Sequence, residues 1–463
     1  MQKLFDEVGS LDKRCYEEFF LSEELLMEHA AEGMAEFIKA HFSKDKKVLF
    51  VVGSGNNGAD ALACARLLHP LFDVKVLYAK PPKSPMAQLQ HKRNLALNIP
   101  TCHELMACDI LVDALVGTGF DGAFSSQMQE LIHAMNRLEA YKIACDVPSG
   151  LSKNGTCHEA TLKADTTLTM GALKKSLFLD EAKEFVGAIK VLDLGISREL
   201  YETQSSWHVV DFEDMKLPWR VGKNTHKGSY GHLAVALGAK SGASIMSALS
   251  ALRFGAGLVT LVGFENKELP HAIMYSHEVP HNATALALGM GLGNEFSDEE
   301  LQHFLDNTLA MVVDADMFHM PYIESILKRK DVVLTPHPRE FVSLLKLCDL
   351  ADITTQQLQA NRFEYVALFC KKYPHVTLLL KGANVIIAQD RAYYINPHGT
   401  SALAKGGSGD VLSGLIGALL AQGYAPLDAA ISASLTHAKL AKNYKGCDFS
   451  LTPDDLIEGL KEL

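Results

Sequence analysis

Nine short apolar runs set the fold class of this chain. KVLFVV, VKVLYA, DILVDALV and KIACDV lie in the first half; GHLAVALGA, GLVTLVG, MVVDAD, VVLTP and VTLLLKG lie in the second. Each has the length of a buried strand, and segments of helical spacing separate them. In ADALACARLL, Ala61, Ala65 and Leu68 fall on one helical face. Strands that alternate with helices need crossover connections, so the expected architecture is α/β with largely parallel sheets. The rhythm lapses in ETQSSWHVVDFEDMKLPWRVGKNTHKGSYG, which is polar and carries Pro and Gly. We therefore expect two α/β domains, residues 1–212 and 213–463. A chain of 463 residues that is 48% hydrophobic has the material for two cores.

The turn after the first run reads GSGNNGAD. Gly53, Gly55 and Gly58 match G-x-G-x-x-G, the outline of a dinucleotide fingerprint. Glycines there permit positive φ, let a ligand approach the backbone and leave amides at a helix N-terminus. A redox site of this kind carries an acid at the end of the second strand, for the ribose hydroxyls. Here VKVLYAKPPK ends in Lys and Pro, and Asp73 precedes the strand. That argues against a dehydrogenase. Two further strand ends point elsewhere. DILVDALVGTGFDGAF brings Asp113 and a glycine loop; KIACDVPSG brings Asp146 and Ser149. In open α/β sheets ligands sit at the carboxyl ends of strands. Oxygen-rich side chains at such a crevice hold a hard cation, and a carboxylate there moves a proton. Taken singly, Asp113 and Asp146 read equally as turn caps.

Four stretches, ELLMEHAAEGMAEFI, VVGSGNNGADALACARLL, LVDALVGTGFDG and CDVPSGL, resemble the NAD(P)H-hydrate epimerases over residues 1–200. The resemblance implies a Rossmann-like three-layer αβα domain. The implied reaction interconverts the R and S epimers of NADHX and NADPHX, reduced cofactor that has added water to its nicotinamide ring. Implied substrate contacts are Asn56, Asn57, Gly58, Ala59 and Asp60, then Gly117, Thr118, Gly119, Phe120, Asp121, Gly122 and Ala123, and Asp146. Implied potassium ligands are Asn57, Asp113 and Ser149, with Asp146 transferring the proton. Ala59 and Ala61 depart from the family's G-N-N-G-G-D-G, and His29 replaces an Asn. A methyl at position 59 costs little in a helical backbone and more at positive φ.

In the second half, NPHGTSALAKGGSGDVLSGLIGALLAQG crowds Gly406, Gly407 and Gly409 before Asp410 and an apolar helix. Free amides at a positive helix end make an anion hole, and no G-K-[ST] follows, so it is not a Walker loop. Asp410 is an N-cap or a base for phosphoryl transfer to an alcohol; the glycines favour the base. Lys381 and Gly382 end another strand. His337 and Glu340 follow a third, and Asp314 with Asp316 ends a fourth, where turn capping is the plainer role.

HKGSYGHLAVALGA, SGASIMSALSALRFGAGLVT, LGMGLG, VVDAD, LTPHPREF, LLLKGANV and GTSALAKGGSGDVLSG resemble the NAD(P)H-hydrate dehydratases of the ribokinase-like superfamily, over residues 222–440. The resemblance implies a ribokinase-like αβα domain that dehydrates the S hydrate at the expense of ADP. Asp410 is then the catalytic base and a hydrate contact, with Ala243, Gly291 and His337. Lys381, Gly382, Ala383, Asn384 and Val385, with Gly407, Ser408 and Gly409, hold the nucleotide. Glu340 is the magnesium residue. LGMGLG carries Met290 where Pro is common.

A net charge of −11 disfavours nucleic acid and anionic membranes as partners. No run approaches the roughly 18 apolar residues of a membrane helix. The start of the chain has no apolar signal region, and the nine scattered cysteines contain no C-x-x-C. The expectation is a cytoplasmic enzyme with free thiols, working as a homo-oligomer. Two rivals stay open at this point: a ribokinase-type kinase of a vitamin-like alcohol, and a non-catalytic binding or scaffold role for the first domain.

Overall fold

A computed structural model describes the chain except residues 121–122, 264–268 and 294–295. It forms two compact units, Gln2–Ser205 and Ser206–Leu463, the second also taking in Met1. All nine cysteines are unpaired. Among the described residues no helix is long and apolar enough to cross a membrane.

The first unit is built on a seven-stranded parallel sheet. Its order is Thr101–Cys102, Asp73–Tyr78, Lys47–Val52, Ile110–Ala114, Tyr141–Cys145, Thr166–Met170, Ala188–Leu192. Strand alternation splits the core in two. Val48, Phe50 and Val52 pack with the Glu23–His41 and Asn56–Leu68 helices. Leu49 and Val51 pack with the Ser126–Arg137 helix on the other face. The result is the expected three-layer αβα arrangement. After Lys47–Val52 the chain moves outward by two strands, then returns to place Ile110–Ala114 on its other side. The loops after these two strands diverge and open a crevice at that switch.

The second unit repeats the logic. Parallel strands run Met274–Ser276, Leu258–Gly263, His232–Leu237, Ala285–Leu288, Ala310–Val313, Val332–Leu334, Val376–Leu380. An antiparallel hairpin, Val385–Gln389 and Ala392–Asn396, and the strand Trp207–Val209 complete it. One face packs the helices Ser241–Arg253, Ser408–Ala421 and Pro426–Asn443. The Ser408–Ala421 helix is buried nearly all round, which explains why its sequence is apolar throughout. Here the switch falls between His232–Leu237 and Ala285–Leu288, and their loops are clasped by Lys240 N donating to Gly291 O at 2.9 Å.

Candidate active sites

At the first switch the GSGNNGAD turn is forced by close approach. A Cβ at Gly53 would lie 1.9 Å from Leu115 O, and one at Gly58 would lie 2.5 Å from Gly53 O. Gly53, Gly55 and Gly58 all keep negative φ, so backbone proximity, not left-handed conformation, demands them. Ala59 lies inside the Asn56–Leu68 helix, fully buried against Met27 and Ala87. Its methyl sits on a helical backbone and carries no strain.

These loops bound a cleft of about 700 Å³. Asn56, Asn57, Asp60, Gly117, Thr118, Gly119, Phe120, Ala123 and Asp146 all line it, together with Asp12, Ser54 and Lys80. Gly58 is buried beneath the turn. Asp121 and Gly122 lie outside the described residues. Asn56 Nδ2 donates to Glu23 Oε1 at 2.6 Å.

Beside the cleft, oxygens converge. Asp113 is fully buried; its carboxylate accepts from Ser149 N (2.8 Å), Ser149 Oγ (2.7 Å) and Leu115 N (3.2 Å). Burial pushes its pKa up to about 6 against those bonds. Asn57 Nδ2 donates to Val116 O at 3.0 Å, and Asn57 Oδ1 is buried with no partner. Ser149 Oγ is 3.4 Å from that same carbonyl. An orphaned amide oxygen, a carbonyl, a hydroxyl and one carboxylate form an all-oxygen donor set, which fits a hard cation. Among the described residues no three His, Cys, Asp or Glu side chains group as a metal site.

Asp146 follows the Tyr141–Cys145 strand with a left-handed backbone, φ 71°. Its Oδ1 accepts from Lys174 Nζ (2.6 Å), Met170 N (3.0 Å) and Thr169 Oγ1 (3.2 Å). Nothing in the local sequence marks Lys174 as its partner. Asp60 is held well above the usual carboxylate range by burial and by the charges of Asp146, Asp12 and Glu23. Burial raises Asp12 as well, while Tyr201 OH donates to it at 2.7 Å.

In the second unit, Gly407 precedes the Ser408–Ala421 helix at φ 90°, and a Cβ there would strike Pro453 and Met246. The turn is therefore glycine by both backbone and space. Gly409 and Asp410 occupy the first turn, where helix geometry leaves amides without intrahelical acceptors. Lys381 Nζ reaches this point, 3.2 Å from where a Gly409 Cβ would be, and donates to Asp314 Oδ1 at 2.6 Å. Ser413 Oγ donates to Asp314 Oδ2 at 2.8 Å. Asp314 caps nothing with its side chain, so the turn-capping role gives way to an ion pair. Asp316 accepts from Gly293 N at 2.9 Å.

Asp410 is pushed up to about 6 by burial and by Asp314, with Lys381 opposing. Ser247 Oγ donates to its carbonyl at 2.7 Å, which ties the Ser241–Arg253 helix to this level. Ala243 is on that same helix, one turn earlier, beside the Lys240–Gly291 clasp. His337 N donates to Glu340 Oε2 at 2.7 Å, and Glu340 N to His337 Nδ1 at 3.2 Å. This box caps the Pro338–Leu347 helix. Burial pushes Glu340 up to about 7 and lowers His337, with Lys381 acting the same way on the imidazole. Gly382 and Ala383 are exposed in the turn after Val376–Leu380; Asn384 is buried and Val385 begins the next strand. Ser408 Oγ lies 3.1 Å from His437 Nε2. Met290 is fully buried in the core.

Residues 233–461 match the family model of NAD(P)H-hydrate dehydratase, and residues 23–176 match that of the YjeF-related protein N-terminus. The chain is 41% identical over 474 aligned residues to the bifunctional NAD(P)H-hydrate repair enzyme Nnr of Helicobacter pylori, covering 100% of both chains. It belongs to the bifunctional NAD(P)H-hydrate repair family. The Escherichia coli member is 30% identical, over 90% of this chain and 84% of its own. Among solved structures, the ADP/ATP-dependent NAD(P)H-hydrate dehydratase of Bacillus subtilis, co-crystallized with ATP and Mg2+, is 26% identical with a TM-score of 0.45. It covers 53% of this chain and 92% of its own. The sequence alone did not pair Lys174 with Asp146 or Asp314 with Lys381; the structure does.

Proposed function

We propose that the chain repairs hydrated NADH and NADPH in two steps, one in each unit. The first unit interconverts R and S hydrates; the second dehydrates the S hydrate with ADP. The observation that carries this reading is a pair of separate carboxylate centres, Asp146 in a cleft and Asp410 at a helix N-terminus beside Lys381, in a chain matched end to end by a bifunctional repair enzyme.

In the epimerase cleft, Asp146 is the group that takes and returns the proton, because one oxygen is fully bonded and the side chain lines the cleft. Asn57, Asp113, Ser149 and the Val116 carbonyl would hold potassium. Bound there, the ion supplies positive charge beside a buried carboxylate. Gly117, Thr118 and Phe120 wall the substrate.

In the second unit, Asp410 accepts the proton of the ring hydroxyl as its oxygen attacks the terminal phosphorus of ADP. AMP leaves. The C–O bond to the new phosphate then breaks, a neighbouring ring C–H gives up its proton, and phosphate departs as NADH or NADPH is restored. The amides of Gly409 and Asp410 and the Lys381 ammonium stabilise charge on the transferring group. Glu340 is the side chain that would orient magnesium, which would supply charge neutralisation on the phosphates.

The test is a mixture of R and S hydrates of NADH with ADP and magnesium, following reduced-nicotinamide absorbance. Full recovery is expected. Recovery that halts when S is exhausted defeats the epimerase half; no recovery from S defeats the dehydratase half. Phosphorylation of a vitamin-like alcohol, without action on the hydrate, would favour a simple kinase.

A further inference from the structure

Lys174 is a charged side chain placed almost wholly out of water, at 1% exposure. A lone buried ammonium is costly, so its partners define what it is for. There are three, all oxygens: Asp146 Oδ1 at 2.6 Å, Thr169 Oγ1 at 2.8 Å and Met170 O at 3.2 Å. They use every proton of the ammonium. Thr169 passes its own proton on to the same Oδ1 at 3.2 Å, and Met170 N adds a bond at 3.0 Å.

The pattern at Asp146 is one-sided. Among the described residues, all three bonds to its carboxylate arrive at Oδ1. Asp146 also lines the cleft, whereas Lys174 does not. The lysine stands behind the carboxylate, on the two-residue strand Leu173–Lys174, paired with Gln2–Phe5. The aspartate is a non-glycine residue at φ 71°, a conformation that persists only where surrounding contacts over-determine it. Of the other charges at this cleft, Asp12 and Asp60 line it and Glu23 adds to them, while the exposed Lys80 lines it as a cation.

We propose that Lys174 is a positioning residue for epimerisation: it grips one oxygen of Asp146 from behind the cleft and leaves the other free to face the substrate. Without it, Asp146 would stand in the cleft with Asp12 and Asp60 and no buried cation, and its carboxylate would lose the 2.6 Å bond that helps to fix its orientation. This inference rests on the reading of Asp146 as the proton-transfer group, so the experiment tests the two separately.

The full-length chain is used, with mixed hydrates, ADP and magnesium. Its own dehydratase consumes S rapidly, and the slower recovery from R then reports epimerisation. Lys174→Met is expected to leave the S phase unchanged and cut kcat for the R phase at least about 100-fold, with little change in KM. Lys174→Ala is expected to fail equally and to be rescued by methylammonium, but not by the same concentration of acetamide, since only a cation restores the pair. Asp146→Asn is run beside them. An active Asp146→Asn enzyme defeats the reading of the base. A dead Asp146→Asn enzyme with Lys174→Met at full rate defeats the positioning role alone. Rescue by acetamide as well as methylammonium, or loss of the folded near-UV spectrum in both lysine variants, would make Lys174 a packing residue and overturn the proposal.

Discussion

With Asp410 as the proposed base, the dehydration rate should fall on the acid side around pH 6. Burial and the charge of Asp314 raise that carboxyl from 3.8 to about 6. A base must be ionised to accept a proton. At pH 5 only about a tenth of Asp410 is then ionised, where an ordinary aspartate would be more than about nine-tenths ionised. Two charge removals should move the limb in opposite directions. Asp314→Asn deletes the neighbouring negative charge and releases Lys381 from its 2.6 Å pair, so the limb moves down by about one unit. Lys381→Met deletes the cation and leaves Asp314 unneutralised, so the limb moves up. The assay is kcat/KM for the S hydrate at saturating nucleotide, from pH 4.5 to 8, which reports the enzyme–nucleotide complex that meets the hydrate. A limb near pH 4, or both variants shifting the same way, would refute the assignment. The raised value also has a consequence for stability. An acid whose folded pKa exceeds its unfolded one favours the fold when protonated, and that contribution is lost as pH rises from about 4 through 6. Asp410→Asn should therefore abolish dehydration yet melt no lower than the parent at pH 7.5.

Three further outcomes follow from the first unit. Gly58→Ala drives a methyl to 2.5 Å from Gly53 O, a backbone atom, and should destabilise that unit by at least about 2 kcal/mol in urea unfolding while S dehydration persists. Ala59→Gly should cost about 1 kcal/mol without raising the epimerisation rate, because the methyl is buried on a helix; a faster enzyme would show that the methyl obstructs the cleft. Asn57→Ala removes the unpartnered Oδ1, so the potassium needed for half-maximal epimerisation should rise several-fold; an unchanged potassium response would refute the cation site.

Much of each site was legible in the sequence because strand ends in a parallel sheet collect at one edge. The motifs after Val52, Ala114 and Cys145 could be placed together without knowing a single distance. Several strands escaped notice, two of them in the sheet of the first unit beyond Tyr141–Cys145. Thr166–Met170 is rich in Thr, and Ala188–Leu192 has exposed and half-buried positions, so neither reads as a core run. The glycine turn was recognised for the right place and partly the wrong reason: its backbone needs room, not positive φ.

The sequence by itself determined which residue types stand at the ends of strands and at helix starts, because hydrophobic period and turn chemistry are local properties. It thereby determined two α/β units, an oxygen-rich turn in one and a glycine-lined helix start in the other. Only the tertiary structure decided who pairs with whom. Lys174 meets Asp146 across 28 residues, and Lys381 meets Asp314 across 67. Those distances in sequence carry no local signal; strand order sets them, and burial sharpens the charge interactions that result.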